Sequence, residues 1–403
     1  MNTTRRKVTA ALAATGLALG LAACGGGSGS DEDGPIKIGA VFPLTGPAAP
    51  NGDWAKLGTE IAVEEINADG GIDGRKVEVV YGDDELDATK SVTEMNRVIN
   101  QEKVDMVLGP LASDPVLATL SVLKSSQTPS IMGAGSEKVT PELAPYSFSW
   151  TMNATTQAQE MVKAAVKAGA KSIAILNDGG TQGKTAASAM KKEIEKQGLK
   201  LAGTQEMSIQ NTDVTPQLLS LKKNDPDHVL LFPVASTDTA RVLEQAKQLN
   251  WDVPITGSYG TTFADTVKKI AGPNAYENTN AITFSSFSAC AAGDVPSSTA
   301  DFVKKVRDFS AKRAKGASFD SVAQTYDAVY LLKAAVEETG STDGPKIAEW
   351  IEKNAGTAGK DLPTVNKTFT PSSTSHFLFG ADALSLVDPG KSVSDSVFQR
   401  AGC

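Results

Sequence analysis

The feature that most constrains this 403-residue chain is an ordered alternation, met twice, of short β-rich runs with longer amphipathic segments. In the first pass IKIGAVF (36–42) reads as a strand, PLTGPAAPNGD as a polar loop, and Trp54 to Ala68 as a helix stopped by Gly70 and Gly71. Arg75 to Tyr81 reads as a second strand, and Asp87 to Gln101 as a helix with Asp87 at its cap. In the second pass AKSIAILNDGG (170–180) parallels PIKIGAVFPLTG (35–46), and GLKLAGTQEMS (198–208) parallels GRKVEVVYGDD (74–84). TPQLLSLKKNDPDHVLLFPV (215–234) parallels TKSVTEMNRVINQEKVDMVLGPL (89–111), in pattern rather than identity. Repeated βα winding of this kind builds parallel sheets covered by helices. The expected fold class is therefore α/β: two doubly wound lobes, with a ligand cleft where their strand ends face each other.

After Thr283 the pattern turns helical, over Ser298–Ala314, Ser321–Thr339 and Pro345–Asn354, with no strand long enough to found a third sheet. These pieces must cover the two existing sheets, so the lobes are expected to be discontinuous in sequence.

One junction points to a site. Val104, Met106, Val107 and Leu108 form an apolar run that Gly109 and Pro110 are expected to stop. Ser113 or Asp114 then caps a helix whose first turn Pro115 opens, running to Ser126 ahead of a fourth strand near Ser130–Met132. A helix start at the carboxyl end of a strand offers uncommitted amides and a positive dipole end to an anion. Ser113 is thus a candidate contact for a carboxylate, set against a plain capping role.

The ends carry a different message. Arg5, Arg6 and Lys7 precede an uncharged Ala/Leu-rich run from Val8 to Ala23, which reads as a secretion signal over residues 1–23. LAAC resembles the lipobox of bacterial lipoproteins, which implies cleavage before Cys24 and lipid on its sulfur, with the chain held on the extracytoplasmic face of the cell membrane. Residues 24–35 then form a flexible tether, about ten residues of which span roughly 17 to 19 Å as a coil. Losing the three leader bases takes the formal charge from −8 to −11, which argues against a nucleic-acid partner. Cys290 and Cys403 either form a disulfide in an oxidising compartment or remain two thiols.

Signatures of catalysis are missing. The turn after the first strand is not GxGxxG, and neither a Walker loop nor a nucleophile elbow occurs. His228 and His376 have no ligand partners nearby in sequence, and the Asp83, Asp84, Glu85, Asp87 cluster sits where capping explains it. No cofactor or metal and no enzymatic activity is expected.

IGAVFPLTGPAAPNGDWAKLGTEIAVEEINADGGIDGRKVEVVYGDDELD, VDMVLGPLAS and TYDAVYLLKAAVEE together resemble the type I periplasmic binding proteins of the branched-chain amino acid group. The resemblance implies two Rossmann-like lobes, 36–152 with 284–368 and 153–283 with 369–403. It places three hinge crossings near Trp150–Asn153, Ala281–Phe284 and Thr368–Thr370. It further implies a monomeric solute-binding protein that carries a small polar solute, an amino acid or related carboxylate or amide, to an ABC importer permease. The rival reading is a membrane-tethered sensor reporting to a partner receptor.

Carried over residue by residue, the resemblance places a lobe-one carboxylate cradle on Leu111, Ala112 and Ser113 and on Ala134 to Ser136. Asn51, Gln182 and Ala235 stand where the family often has aromatics, and Tyr259 stands where it has the acid that pairs with a ligand ammonium. A phenol brings no negative charge at neutral pH, so an α-amino acid is not expected unless Asp178 or another acid substitutes. The Tyr259 ring is alternatively a cover for an apolar or aromatic ligand body.

Overall fold

Strand β1 (Ile36–Phe42) shows in seven residues how the alternation becomes layers. Ile36, Ile38, Ala40 and Phe42 enter the large core shared by both lobes, whereas Val41 points the other way to Met95, Val98 and Leu123. The computed structural model describes residues 34–46, 48–208, 212–233 and 235–403. The leader, Cys24 and nearly all of the tether lie outside the described residues.

The first lobe continues through α1 (Ala49–Ala68), β2 (Val77–Asp83), α2 (Ala88–Asn96), β3 (Met106–Leu111), α3 (Ser113–Ser126), β4 (Ser130–Gly133) and β5 (Ser147–Ser149). Its sheet has the order β2-β1-β3-β4-β5, and every pairing is parallel. The second lobe runs α4 (Ala154–Lys167), β6 (Ser172–Asp178), α5 (Thr181–Lys196), β7 (Lys200–Met207), α6 (Thr215–Lys222), β8 (His228–Phe232) and α7 (Ser236–Gln248). It goes on through β9 (Ile255–Gly257), α8 (Ala264–Ala271), β10 (Thr279–Phe284) and β11 (Ser288–Ala289). Four helices follow, α9 (Ser297–Phe309), α10 (Ala311–Ala314), α11 (Phe319–Thr339) and α12 (Gly344–Ala358), then β12 (Leu384–Ser394) and β13 (Val397–Arg400). The second sheet has the order β11-β13-β12-β10-β9-β8-β6-β7.

α1 and α11 pack closest where Gly58 meets Val322: a Cβ on Gly58 would lie 2.1 Å from the Val322 carbonyl oxygen. That close approach brings the first turns of both helices to one place, which matters below.

The structure moves several expected boundaries. α1 begins at Ala49 rather than Trp54, with Pro50 in its first turn, so Asn51 lies on the helix and not in the loop. β3 runs through Gly109 and Pro110 to Leu111, because its pairing with β4 skips from Leu108 to Leu111 and leaves the proline outside the ladder. The second crossing falls after Ala289 instead of at Ala281–Phe284, since β10 and β11 both pair within the second sheet. The third falls after Leu378 rather than at Thr368–Thr370: Ser149 donates to the His376 carbonyl and accepts from the Leu378 N–H, both at 2.8 Å, which holds that segment on the edge of the first sheet. β12 and β13 form a hairpin, and its 11-residue first strand joins the second sheet antiparallel to β10. Cys290 and Cys403 are bonded to each other, with Cα atoms 5.5 Å apart, beside the β11–β13 pair. Among the described residues no helix is long and apolar enough to cross a membrane.

Candidate functional site

Strands of both sheets end at one cavity of about 120 Å³. A water needs roughly 10–15 Å³ of such space, so the cavity suits a small solute and not a peptide. From lobe one it is lined by the start of α1 (Asn51, Trp54), the β3–α3 junction (Leu111, Ala112), Trp150 after β5, and Ser321 and Gln324 at the start of α11. From lobe two come Gln182 at the start of α5, Phe232 and Ala235 around the end of β8, and Ser258, Tyr259 and Phe263 after β9. Every lobe-two contributor but α4's Gln157 follows the carboxyl end of a parallel strand, where an open α/β sheet leaves backbone groups uncommitted.

Six of the residues singled out in sequence meet here: Asn51, Leu111, Ala112, Gln182, Ala235 and Tyr259. Ser113, Ala134 and Ser136 do not line the cavity. Ser113 is 2% exposed, and its Oγ accepts from the Ser136 N–H at 3.1 Å. It therefore neither caps α3 nor points at the cavity; it ties the two cradle loops together from behind. The N-cap of α3 is Ala112, with φ 65° and ψ 154°, a backbone region kept almost entirely for glycine. Such strain at a cavity wall is typical of a site that over-determines its backbone. The Ala134 carbonyl accepts from Ser149 Oγ at 2.6 Å, and Ser136 Oγ lies 3.0 Å from Thr185 Oγ1 in the other lobe.

The cavity's electrostatics are plain: among the described residues that line it, none is Asp, Glu, Lys, Arg or His. Tyr259 is held by neighbours on every side. Its hydroxyl pairs with Ser321 Oγ at 2.6 Å and accepts from Gln324 Nε2 at 2.8 Å, and its N–H donates to Gln157 Oε1 at 3.0 Å. Burial, with the Asp320 carboxylate behind it, raises the phenol well above its usual range, so it stays neutral. Its ring stands edge-on to Phe263 and Phe284, and Phe263 in turn leans on Trp54 with centroids 5.2 Å apart.

Asp178 cannot supply the missing acid. Its carboxyl is fully buried outside the cavity wall, and desolvation, helped by Asp238 and Asp114, pushes its pKa up to about 7. The two histidines stand elsewhere, His228 against Thr256 and His376 against Glu352. In the acidic cluster Asp83 accepts from the Leu44 N–H after β1, Asp84 accepts from the Leu86 N–H, and Asp87 caps α2.

Sequence reasoning missed Ser258. It is 1% exposed, it lines the cavity, and its hydroxyl has no hydrogen-bond partner among the described residues. A buried orphan hydroxyl costs about 1–3 kcal/mol, so such a group persists where something else satisfies it. The only hint in sequence was its place beside Tyr259 in TGSYGTT.

Two α/β lobes closing their strand ends on a solute-sized cavity define a bilobed binding protein. The chain belongs to the type I periplasmic binding protein family of branched-chain amino acid transporters: the Periplasmic binding protein family model matches residues 35–375. It is 27% identical over 343 residues to the Leucine-, isoleucine-, valine-, threonine-, and alanine-binding protein of Pseudomonas aeruginosa, covering 83% of this chain and 85% of that one. Its fold is shared with a branched-chain amino acid transporter substrate-binding protein of Streptococcus pneumoniae solved with isoleucine (TM-score 0.73, 22% identity, 89% and 97% of the chains). It is also shared with an R. palustris solute-binding protein solved with 4-hydroxybenzoate (TM-score 0.78, 20% identity, 90% and 95% of the chains).

Proposed function

We propose that this chain is an extracytoplasmic solute-binding lipoprotein, anchored through Cys24, that hands a small amine-free solute to an ABC importer. The observation that carries the choice of ligand is a cavity walled by Trp54, Trp150, Phe232, Tyr259 and Phe263 with no acidic side chain. A buried ammonium without a charged partner costs several kcal/mol, which disfavours an α-amino acid. A flat apolar body stacks against such a wall, and a single carboxylate or amide suits the amides at the start of α3 and the hydroxyl of Ser258. Among relatives of this fold, one was solved with isoleucine and another with 4-hydroxybenzoate, so the fold admits both ligand types.

Thermal-shift and calorimetric titration with 4-hydroxybenzoate, benzoate, benzamide, leucine and isoleucine tests the ligand class. Binding by an amine-free member and none by leucine or isoleucine is the expected outcome; tighter binding of an amino acid than of any amine-free compound overturns it. Loss of uptake of the bound compound on gene deletion is the expected result for transport, and unchanged uptake favours a sensor. Cys24→Ala is expected to release the protein from the membrane fraction.

A further inference from the structure

α5 begins without a cap of its own. Its N-cap is Gly180, which has no side chain to offer the first N–H groups, although the helix start faces the cavity mouth at Gln182. The missing acceptors arrive from two directions. Within the lobe, Asp178 Oδ1 accepts from the Gly180 N–H at 2.8 Å. From the other lobe, 67 residues away in sequence, Asp114 Oδ2 accepts from the Thr181 N–H at 3.1 Å, and Asp114 Oδ1 accepts from the Thr181 hydroxyl. Asp114 is the second residue of α3, so this carboxylate caps the opposite lobe's helix and not its own.

Two neighbours continue the seam. One turn further along α5, Thr185 Oγ1 meets Ser136 Oγ of lobe one at 3.0 Å. Beside it Gly135 lies so close to the Gln182 side chain that a Cβ there would come within 2.3 Å of its amide nitrogen. Asp114 is solvent-exposed and does not line the cavity.

We propose that Asp114 is a closure residue: its carboxylate caps α5 of the other lobe only while the lobes are shut, and so sets how long the cavity stays closed without touching the ligand. This rests on the hinged-receptor reading above. The physics is ordinary helix capping made conditional on a hinge. The acceptor and the dipole attraction at the helix start are gained on closing and returned to water on opening. It also means that lobe two's helix start at α5 is already taken by a carboxylate of the protein, so the anionic end of a ligand is left to lobe one.

The test is residue-resolved amide hydrogen exchange on the unliganded full chain, wild type against Asp114→Ala, Asp114→Asn and Thr181→Val. For Asp114→Ala the Thr181 amide is expected to lose protection by about 3- to 30-fold, the range of a lost cap. Asp114→Asn, which keeps an acceptor oxygen but no charge, is expected to fall between, and the first turn of α7 at Ser236 to stay as in wild type. Unchanged exchange at Thr181, or an equal rise at Thr181 and Ser236, overturns the proposal. A failed solute panel with a raised Thr181 exchange rate would sink the ligand-class reading and leave the cap; a successful panel with unchanged exchange would do the reverse.

Discussion

Two cavities lie back to back between the lobes, and they differ in kind. The first, about 120 Å³, has no Asp, Glu, Lys, Arg or His among the described residues of its wall. The second, about 510 Å³, is lined by Asp265, Lys268, Arg307, Lys315, Asp320 and Asp395 among others. Trp54 and Phe263 belong to both walls and form the partition between them. Charged groups keep their hydration, so the larger space stays wet and discriminates little. On the reading proposed above, the smaller one would bind by desolvation, where each uncompensated charge on a ligand is penalised. The difference teaches that two neighbouring cavities can differ in charge far more than in position, and that size alone does not mark a binding site.

The strongest way to break this comparison is to remove the partition. Trp54→Ala deletes a side chain 6% exposed in the shared core, with an expected loss of about 3–5 kcal/mol in denaturant unfolding and loss of solute binding. A loss below about 1 kcal/mol would mean that the partition does not separate the cavities.

Next comes the buried acid beside the first cavity. The folded-state pKa of Asp178 is raised from 3.8 to about 7, so the stability gained by keeping it neutral is fully present below about pH 4 and is lost as pH rises through 7. Asp178→Asn is neutral throughout and should therefore gain on wild type by up to a few kcal/mol near pH 8 and show a flatter pH profile of unfolding free energy. An unchanged profile would place the charge elsewhere.

Ser258→Ala sharpens the comparison with a smaller change. Removing an orphan hydroxyl should leave the unliganded protein as stable or up to about 1 kcal/mol more so, while solute affinity falls by roughly 1 kcal/mol, or about fivefold. Equal affinity in a titration would assign the hydroxyl no ligand. The smallest effect belongs to the wet cavity: Arg307 and Asp395 pair there with side chains 44% and 62% exposed. Asp395→Ala should change stability by less than about 1 kcal/mol and leave solute affinity unchanged.

How far the sequence foresaw this arrangement depends on the range of the interaction. β1 was legible to the residue because its alternating side chains, Ile36 and Ile38 against Val41, are a local property of an extended backbone. Asp87 was legible as a cap because its acceptor serves Thr89 and Lys90, two and three residues on. Ser113 looked like the same case and was not: the donor that claims it is the N–H of Ser136, on the next loop. Asp114 looked like a local cap as well, but its donor belongs to the other lobe. The bounds of β12 were hard to read because its strand character comes from pairing with β10 rather than from an apolar pattern; nine of its 11 residues stay at least partly exposed.

Taken alone, the amino-acid order determined that this chain winds twice as β and α, that residues such as Leu111, Gln182 and Tyr259 fall at or just after strand ends, and that position 259 carries no charge. These follow from periodicity and residue chemistry, which a segment carries wherever it sits. Only the tertiary structure decided that the buried hydroxyl of Ser258 finds no partner among the described residues while that of Ser113 accepts from the Ser136 N–H, and that Asp114 completes a helix in the opposite lobe. The physical reason is that hydrogen bonds are satisfied by whatever donor the fold brings within about 3 Å, and between lobes that donor is set by the hinge and not by nearness along the chain.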